Sequence, residues 1–335
     1  MNIGNPVLVE VQRGELVESR HRGAVAIADA DGAAVLTVGD VTVPVFPRSA
    51  VKALQALPLV ESGAADRYGF GDEELALACS SHSGEEGHVA VVSRMLAAAG
   101  LDASALSCGA HWPMNQAAAF TLARTGAPSA LHNNCSGKHA GFLCVACARV
   151  IDPEGYWRPD HPVQQTVRAV LEDLTGTDLP PHSRAIDGCS VPTWAIPLNS
   201  LARGFAKFGS GHGLARGRAA AALRLRAACA KKPWYVAGNG RFCTEIMGLF
   251  GLRVFVKTGA EGVYCGALPE RGLGIAIKCD DGGGRAAEAI MAAVIARFLP
   301  LSPAERAALV NFEHPTLRNW NGFEVGAVRV TDALR

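Results

Sequence analysis

The sequence lacks the features that would mark several protein classes at sight. Its 32 Lys and Arg face 31 Asp and Glu, for a formal net charge of +1. A balance this even gives no electrostatic pull toward nucleic acid or an anionic membrane, so neither is expected as a partner. No apolar run reaches membrane-spanning length without a Gly, a Pro or a charge in it. The opening Met1–Asn2–Ile3–Gly4–Asn5–Pro6 has neither the basic nor the apolar region of a secretion signal. A cytoplasmic location is therefore expected. Internal repeats and low-complexity tails are also missing. What remains is 335 residues, 49% hydrophobic, which is material for a full-sized core, and we read one catalytic domain over 1–335.

Cysteine, by contrast, is plentiful. Ten are spread along the chain, at 79, 108, 135, 144, 147, 189, 229, 243, 265 and 279. In the expected compartment they read as thiols, some of them candidate metal ligands, and not as a disulfide framework. Cys144 and Cys147 form a C-x-x-C within an apolar helix pattern, which suits core thiols better than a redox pair.

Strands are predicted at Leu8–Val11, Gly23–Ile27 and Ala33–Val38, the last two joined by the turn Asp29–Ala30–Asp31–Gly32. The middle of the chain reads as helical, with helices after Ser49 and at Gln116–Arg124, Gly137–Ile151, Pro162–Leu174, Thr193–Lys207 and Ala215–Lys231. Strands return at Leu252–Lys257, Val263–Ala267 and Leu273–Lys278, followed by a helix at Ala286–Leu299. This order predicts an α/β (α+β) chain. Its antiparallel sheet, from about 1–48 and 235–335, is flanked by helices, and a large, mainly helical lobe is inserted at about 49–234.

The chemistry begins at Arg48–Ser49–Ala50–Val51–Lys52. Ser49 and Lys52 are three apart, so on a helix the amine can reach the hydroxyl. A lysine can act as the base for a serine if burial or a second cation drives it toward its neutral form. Alone, the pattern is better read as a helix start with an exposed lysine. Two later elements add weight: Ser81–His82–Ser83, and Lys257–Thr258–Gly259 at the end of a strand. In that order the three are laid out as in penicillin-binding proteins, class A β-lactamases and serine glutaminases. Two lysines in one cleft lower each other's pKa, and backbone N–H groups at Thr258 and Gly259 could help hold an oxyanion.

A second constellation is foreign to penicillin binders. Cys135 and Lys138 lie three apart in Asn133–Asn134–Cys135–Ser136–Gly137–Lys138–His139, and Asp187–Gly188–Cys189 brings another thiol and a carboxylate. Two thiols with a nitrogen or oxygen donor suit zinc, provided the lysine gives up its proton. A buried thiol at a helix start and another in a turn is the alternative.

At these residues the chain resembles the Rhizobium etli-type, or class 3, L-asparaginases of the asparaginase II family. The matching stretches include Glu18–Ser19–Arg20–His21–Arg22–Gly23, Gly109–Ala110–His111–Trp112–Pro113, Asn134–Cys135–Ser136–Gly137–Lys138–His139, Lys257–Thr258–Gly259–Ala260–Glu261–Gly262 and Asn319–Trp320–Asn321–Gly322. The resemblance implies a serine-β-lactamase/penicillin-binding-protein-like fold, a homodimer, and hydrolysis of L-asparagine to L-aspartate and ammonia. It implies two serine–lysine pairs, Ser49 with Lys52 and Ser81 with Lys257. It also implies zinc held beside the active site by Cys135, Lys138 and Cys189, with Asp187 close by. In place of the Ser-x-Asn of penicillin-recognising enzymes the chain has Ser81–His82–Ser83, which counts against β-lactam chemistry.

Around these groups, Arg48 is a candidate for the substrate carboxylate and Glu261 for its amine. His82 could orient Ser81, contact substrate or be structural. His139 could support the metal from behind its ligands, and His111 reads as packing. The expected reaction has Ser49 attack the side-chain amide after losing its proton to Lys52, while Ser81 and Lys257 relay protons or hold substrate. Glutamine, β-lactam or D-Ala-D-Ala hydrolysis on the same scaffold is the alternative, as is a non-enzymatic, zinc-dependent amino-acid-binding protein.

Overall fold

The computed structural model describes residues 4–334. Eight strands form its main sheet, and we number them in chain order: β1 Val7–Arg13, β2 Leu16–Ala28, β3 Ala34–Val38, β4 Phe255–Thr258, β5 Val263–Leu268, β6 Leu273–Cys279, β7 Thr316–Arg318 and β8 Glu324–Val330. Across the sheet the order is β7-β8-β1-β2-β6-β5-β4, with β3 also on β2. Every pairing is antiparallel. The long β2 pairs with β1 over its first half and with β6 and β3 over its second. Its burial changes accordingly. The first half is mostly solvent-facing and the second, from Gly23, is buried throughout.

Both faces of the sheet are covered. Gly274 on β6 lies against Ala202 and Phe205 of the helix Leu198–Ser210, whereas Gly266 on β5 lies against Met291 of the helix Gly284–Phe298. Gly266 pairs with Ile275, the neighbour of Gly274, so the two glycines face opposite ways. The two helices therefore sandwich the sheet.

Most of the remaining helices make the inserted lobe. At its centre is Ser136–Ala148, in which every residue from Ser136 to Ala146 is buried. A helix with no polar face has to be enclosed on all sides, and Gly137 allows it to touch the backbone of the helix Asp72–Ala78 at Leu77. No helix among the described residues is long and apolar enough to cross a membrane.

An antiparallel sheet with flanking helices and a helical lobe is thus what the sequence predicts, but the details differ in four places. The stretch after Ser49 begins as a 3-10 turn, Arg48–Val51, before the short helix Lys52–Gln55. Thr193 to Pro197, predicted helical, is extended: Pro192–Trp194 pairs with Arg184–Ile186, and Ile196–Pro197 with Pro44–Val45. Leu198–Ser210 lies in the predicted helical segment yet packs on the sheet. The helix Pro303–Glu313 and the hairpin of β7 and β8 complete the C-terminus.

Candidate active site

Ser81 is where the parts converge. It follows the helix Asp72–Ala78 and is fixed by its N–H, which donates to Val236 O at 2.9 Å. Its Oγ stands 3.1 Å from Lys52 Nζ and 2.8 Å from Lys257 Nζ. All three residues are buried, both lysines completely. Lys257 reaches inward from β4 and its amine also contacts Thr258 O at 2.8 Å. Burial, and then the charge of Lys52, bring the Lys257 amine down from 10.5 to about 7.

Lys52 has a different setting. Its amine donates to Ser80 O at 2.6 Å and to Asn134 O at 3.2 Å as well as to Ser81. Three N–H groups thus meet three acceptors, which suits an ammonium. The predicted Ser49–Lys52 contact is absent: Ser49 Oγ makes no hydrogen bond with any described residue. The reason lies in the packing. A buried amine takes the acceptors that satisfy it, and Ser49 stays half-buried on its 3-10 turn. That turn touches the end of β4, where a Cβ on Gly259 would lie 2.8 Å from Pro47 O. The predicted oxyanion donor at Gly259 is already used, since its N–H donates to Val263 O at 2.8 Å.

The thiol cluster adjoins this group. Cys135 and Cys189 are neighbours, Cys135 Sγ pairs with Asn134 Oδ1 at 3.1 Å, and Lys138 Nζ donates to Cys189 Sγ at 3.1 Å. The hydrogen bond from Cys189 holds the Cys135 thiol well below its ordinary value, and the same contact raises Cys189. Burial alone would lower the Lys138 amine; the facing sulfurs and Asp187 more than offset it. No group of three or more His, Cys, Asp or Glu among the described residues is arranged to hold a metal. A third protein donor would have to be the lysine. Around tetrahedral zinc, with bonds of about 2.3 Å to sulfur and about 2.0 Å to nitrogen, neighbouring donors stand roughly 3.6 Å apart. Lys138 and Cys189 are within a small adjustment of that, so the donor set fits zinc once the amine is neutral.

Arg48 joins the two groups. Its Nε donates to Asp187 Oδ1 at 2.6 Å, and its backbone has a φ of 51°. Ser190 (φ 77°) and Glu261 (φ 54°) share this left-handed region, which costs a non-glycine residue on the order of 1–3 kcal/mol. Three such residues bordering one site show a backbone held to shape by its surroundings. Arg48 and Glu261 also line a cavity of about 420 Å³.

Two predicted site histidines point elsewhere. Gly84 N–H donates to His82 Nδ1 at 3.1 Å, so the proton is on Nε2, which donates to Ser136 Oγ at 2.8 Å. Burial holds His82 well below its usual pKa, and its ring stacks on His88, which stacks on Trp234. His82 ties the Ser81 loop to the helix that carries Lys138. His139 Nδ1 shares a hydrogen bond with Tyr156 OH at 2.6 Å and makes none with the thiols. Ser80, Asn134, Ser136 and Tyr156 were not predicted as site residues. Asn134 and Ser136 at least lie inside the N-C-S-G-K-H stretch.

The profile of the L-asparaginase II family matches residues 9–330. The chain belongs to that family. For this L-asparaginase II chain, membership implies a hydrolase, suggests L-asparaginase activity, and is consistent with a small-molecule substrate. No curated protein matches it. Among solved structures it is similar to a β-lactamase from Mycobacterium bovis, at 14% identity over 83% of this chain and 95% of that one, with a TM-score of 0.39. It is also similar to Mglu, at 17% identity over 84% of this chain and 69% of that one, with a TM-score of 0.36.

Proposed function

We propose that the chain is a Rhizobium etli-type L-asparaginase that hydrolyses L-asparagine to L-aspartate and ammonia through a serine ester. The observation that supports this best is the pair of buried amines on Ser81 Oγ, one of them brought to about 7, behind the half-buried Ser49. The three acceptors around its amine make Lys52 the proton donor of the pair, and Lys257, brought to about 7, the acceptor. Ser81 accepts a proton from Lys52 as it passes its own to Lys257. Lys52 is then neutral and, once its amine swings from the Ser80 and Asn134 carbonyls toward Ser49, takes the proton of Ser49 as Ser49 Oγ bonds to the amide carbon. That proton leaves with ammonia, and water splits the β-aspartyl ester by the same route. The terminal nitrogens of Arg48, whose Nε is held by Asp187, receive the substrate carboxylate, and Glu261 receives its ammonium. Because Gly259 N–H is committed to Val263 O and Ala50 N–H to Pro47 O, the backbone N–H of Ser49 itself is the donor that the Ser49 turn offers to the oxyanion.

Cys135, Lys138 and Cys189 would hold zinc, which would supply positive charge for orienting the substrate's amino-acid end. Release of ammonia from a panel of asparagine, glutamine and a chromogenic β-lactam tests the reading. Asparagine should be the preferred substrate, and Ser49→Ala should lower turnover about ten-thousandfold while the melting temperature holds. Near-normal turnover by that variant would remove Ser49 from its role.

A further inference from the structure

The 420 Å³ cavity beside Arg48 and Glu261 falls in the range that holds drug-sized ligands, roughly 300–1,000 Å³. Free asparagine is far smaller. Beyond the two charged residues the wall is mostly apolar, with Val43, Phe46, Leu198 and Val263, and its rim carries Asp40 and Asp280. Ser81, Lys52 and Lys257 are themselves buried, and the cavity begins at Arg48, the chain neighbour of the half-buried Ser49, so it is toward this cavity that a larger substrate has room.

We infer that the site also hydrolyses N-substituted asparagines, β-aspartyl amides whose leaving group is an apolar amine. This rests on the asparaginase reading above. Arg48 and Glu261 each answer one charge of an amino acid, and both line the cavity. A substrate that keeps both charges and the asparagine backbone carries extra bulk beyond the scissile bond only on its amide nitrogen. Ser49 Oγ bonds to the β-carbonyl carbon, the C–N bond breaks, and the amine leaves with the proton taken from Ser49. Water then cleaves the ester to give aspartate. The released amine becomes a cation in water. Asp40, Glu261 and Asp280 outnumber Arg48 and Lys278 along the lining, a balance that favours such a product.

The test compares the full chain on L-asparagine and on L-aspartic acid β-benzylamide, following ammonia and benzylamine. Benzylamine and aspartate should appear in equal amounts. Val43→Trp, at a half-exposed position on the cavity wall, should lower kcat/KM for the benzylamide about tenfold or more and leave asparagine within about twofold. Benzylamine should also inhibit asparagine hydrolysis competitively in the unaltered chain, a result that stands whether or not the variant folds. A chain that hydrolyses asparagine yet leaves the benzylamide intact overturns this inference alone, as does a variant that keeps its melting temperature and loses both activities equally. A chain inert to both substrates overturns the functional reading beneath it.

Discussion

Lys257 works by being unable to keep its proton. Buried completely on β4, with Lys52 across Ser81, its amine sits at about 7 in place of 10.5. If it receives the proton that frees Lys52, kcat/KM should rise through about pH 7 and level off above it. A pH profile checks this; an acid limb unmoved in an active Lys257→Arg variant would place the titration elsewhere. Stability should follow the same group. Between about pH 7 and 10.5 the unfolded chain keeps a proton on this lysine that the folded chain has released. Stability should therefore rise with pH across that window, and Lys257→Met should flatten the rise in denaturant melts. The residue types at the site were legible in the sequence: both lysines and both serines are where the motifs put them. Their partners were not. Lys52 turns from a hydroxyl three residues away to carbonyls 28 and 82 residues away, at Ser80 and Asn134, and no local pattern encodes a contact made by packing.

At the level of elements, two glycines set how closely the layers approach. A Cβ on Gly274 would collide with Ala202 O and the backbone at Phe205–Ala206, and one on Gly137 with Leu77 O. Neither glycine is in the left-handed region, so the demand is steric. Gly274→Ala should push the helix Leu198–Ser210 off the sheet and cost about 1–3 kcal/mol or more, read as a lower denaturation midpoint. An unchanged midpoint would mean the layers yield easily. The central strands were legible because their apolar runs are bounded by Gly and Asp turns. Thr193 to Pro197 misled because its apolar residues suit a buried strand as well as a helix, and the pairing partners Arg184–Ile186 and Pro44–Val45 decide the matter. The 3-10 turn under Ser49 carries no signal distinct from the start of an α-helix.

On the scale of the molecule, the candidate zinc donors come from two separate segments, the helix Ser136–Ala148 with its preceding Cys135 and the loop after Arg184–Ile186 that carries Cys189. A ligand that binds only the folded chain stabilises it by mass action. Zinc should accordingly raise the melting temperature, chelation should lower it, and Cys189→Ser should lose both the metal and the shift. Equal melting curves with and without zinc would leave the cluster as thiols and an amine alone. If the metal orients substrate, chelation should also raise KM more than it lowers kcat.

The hydrolytic reading depends on the hydroxyl of residue 49 taking the acyl group while the two amines behind it trade a single proton. Turnover with asparagine, quenched in acid and mapped by peptide mass spectrometry, addresses that directly. The expected result is one aspartyl group in ester linkage on the peptide containing Ser49, missing from Ser49→Ala. An ester found on Ser81, or active protein that never carries one, would contradict it.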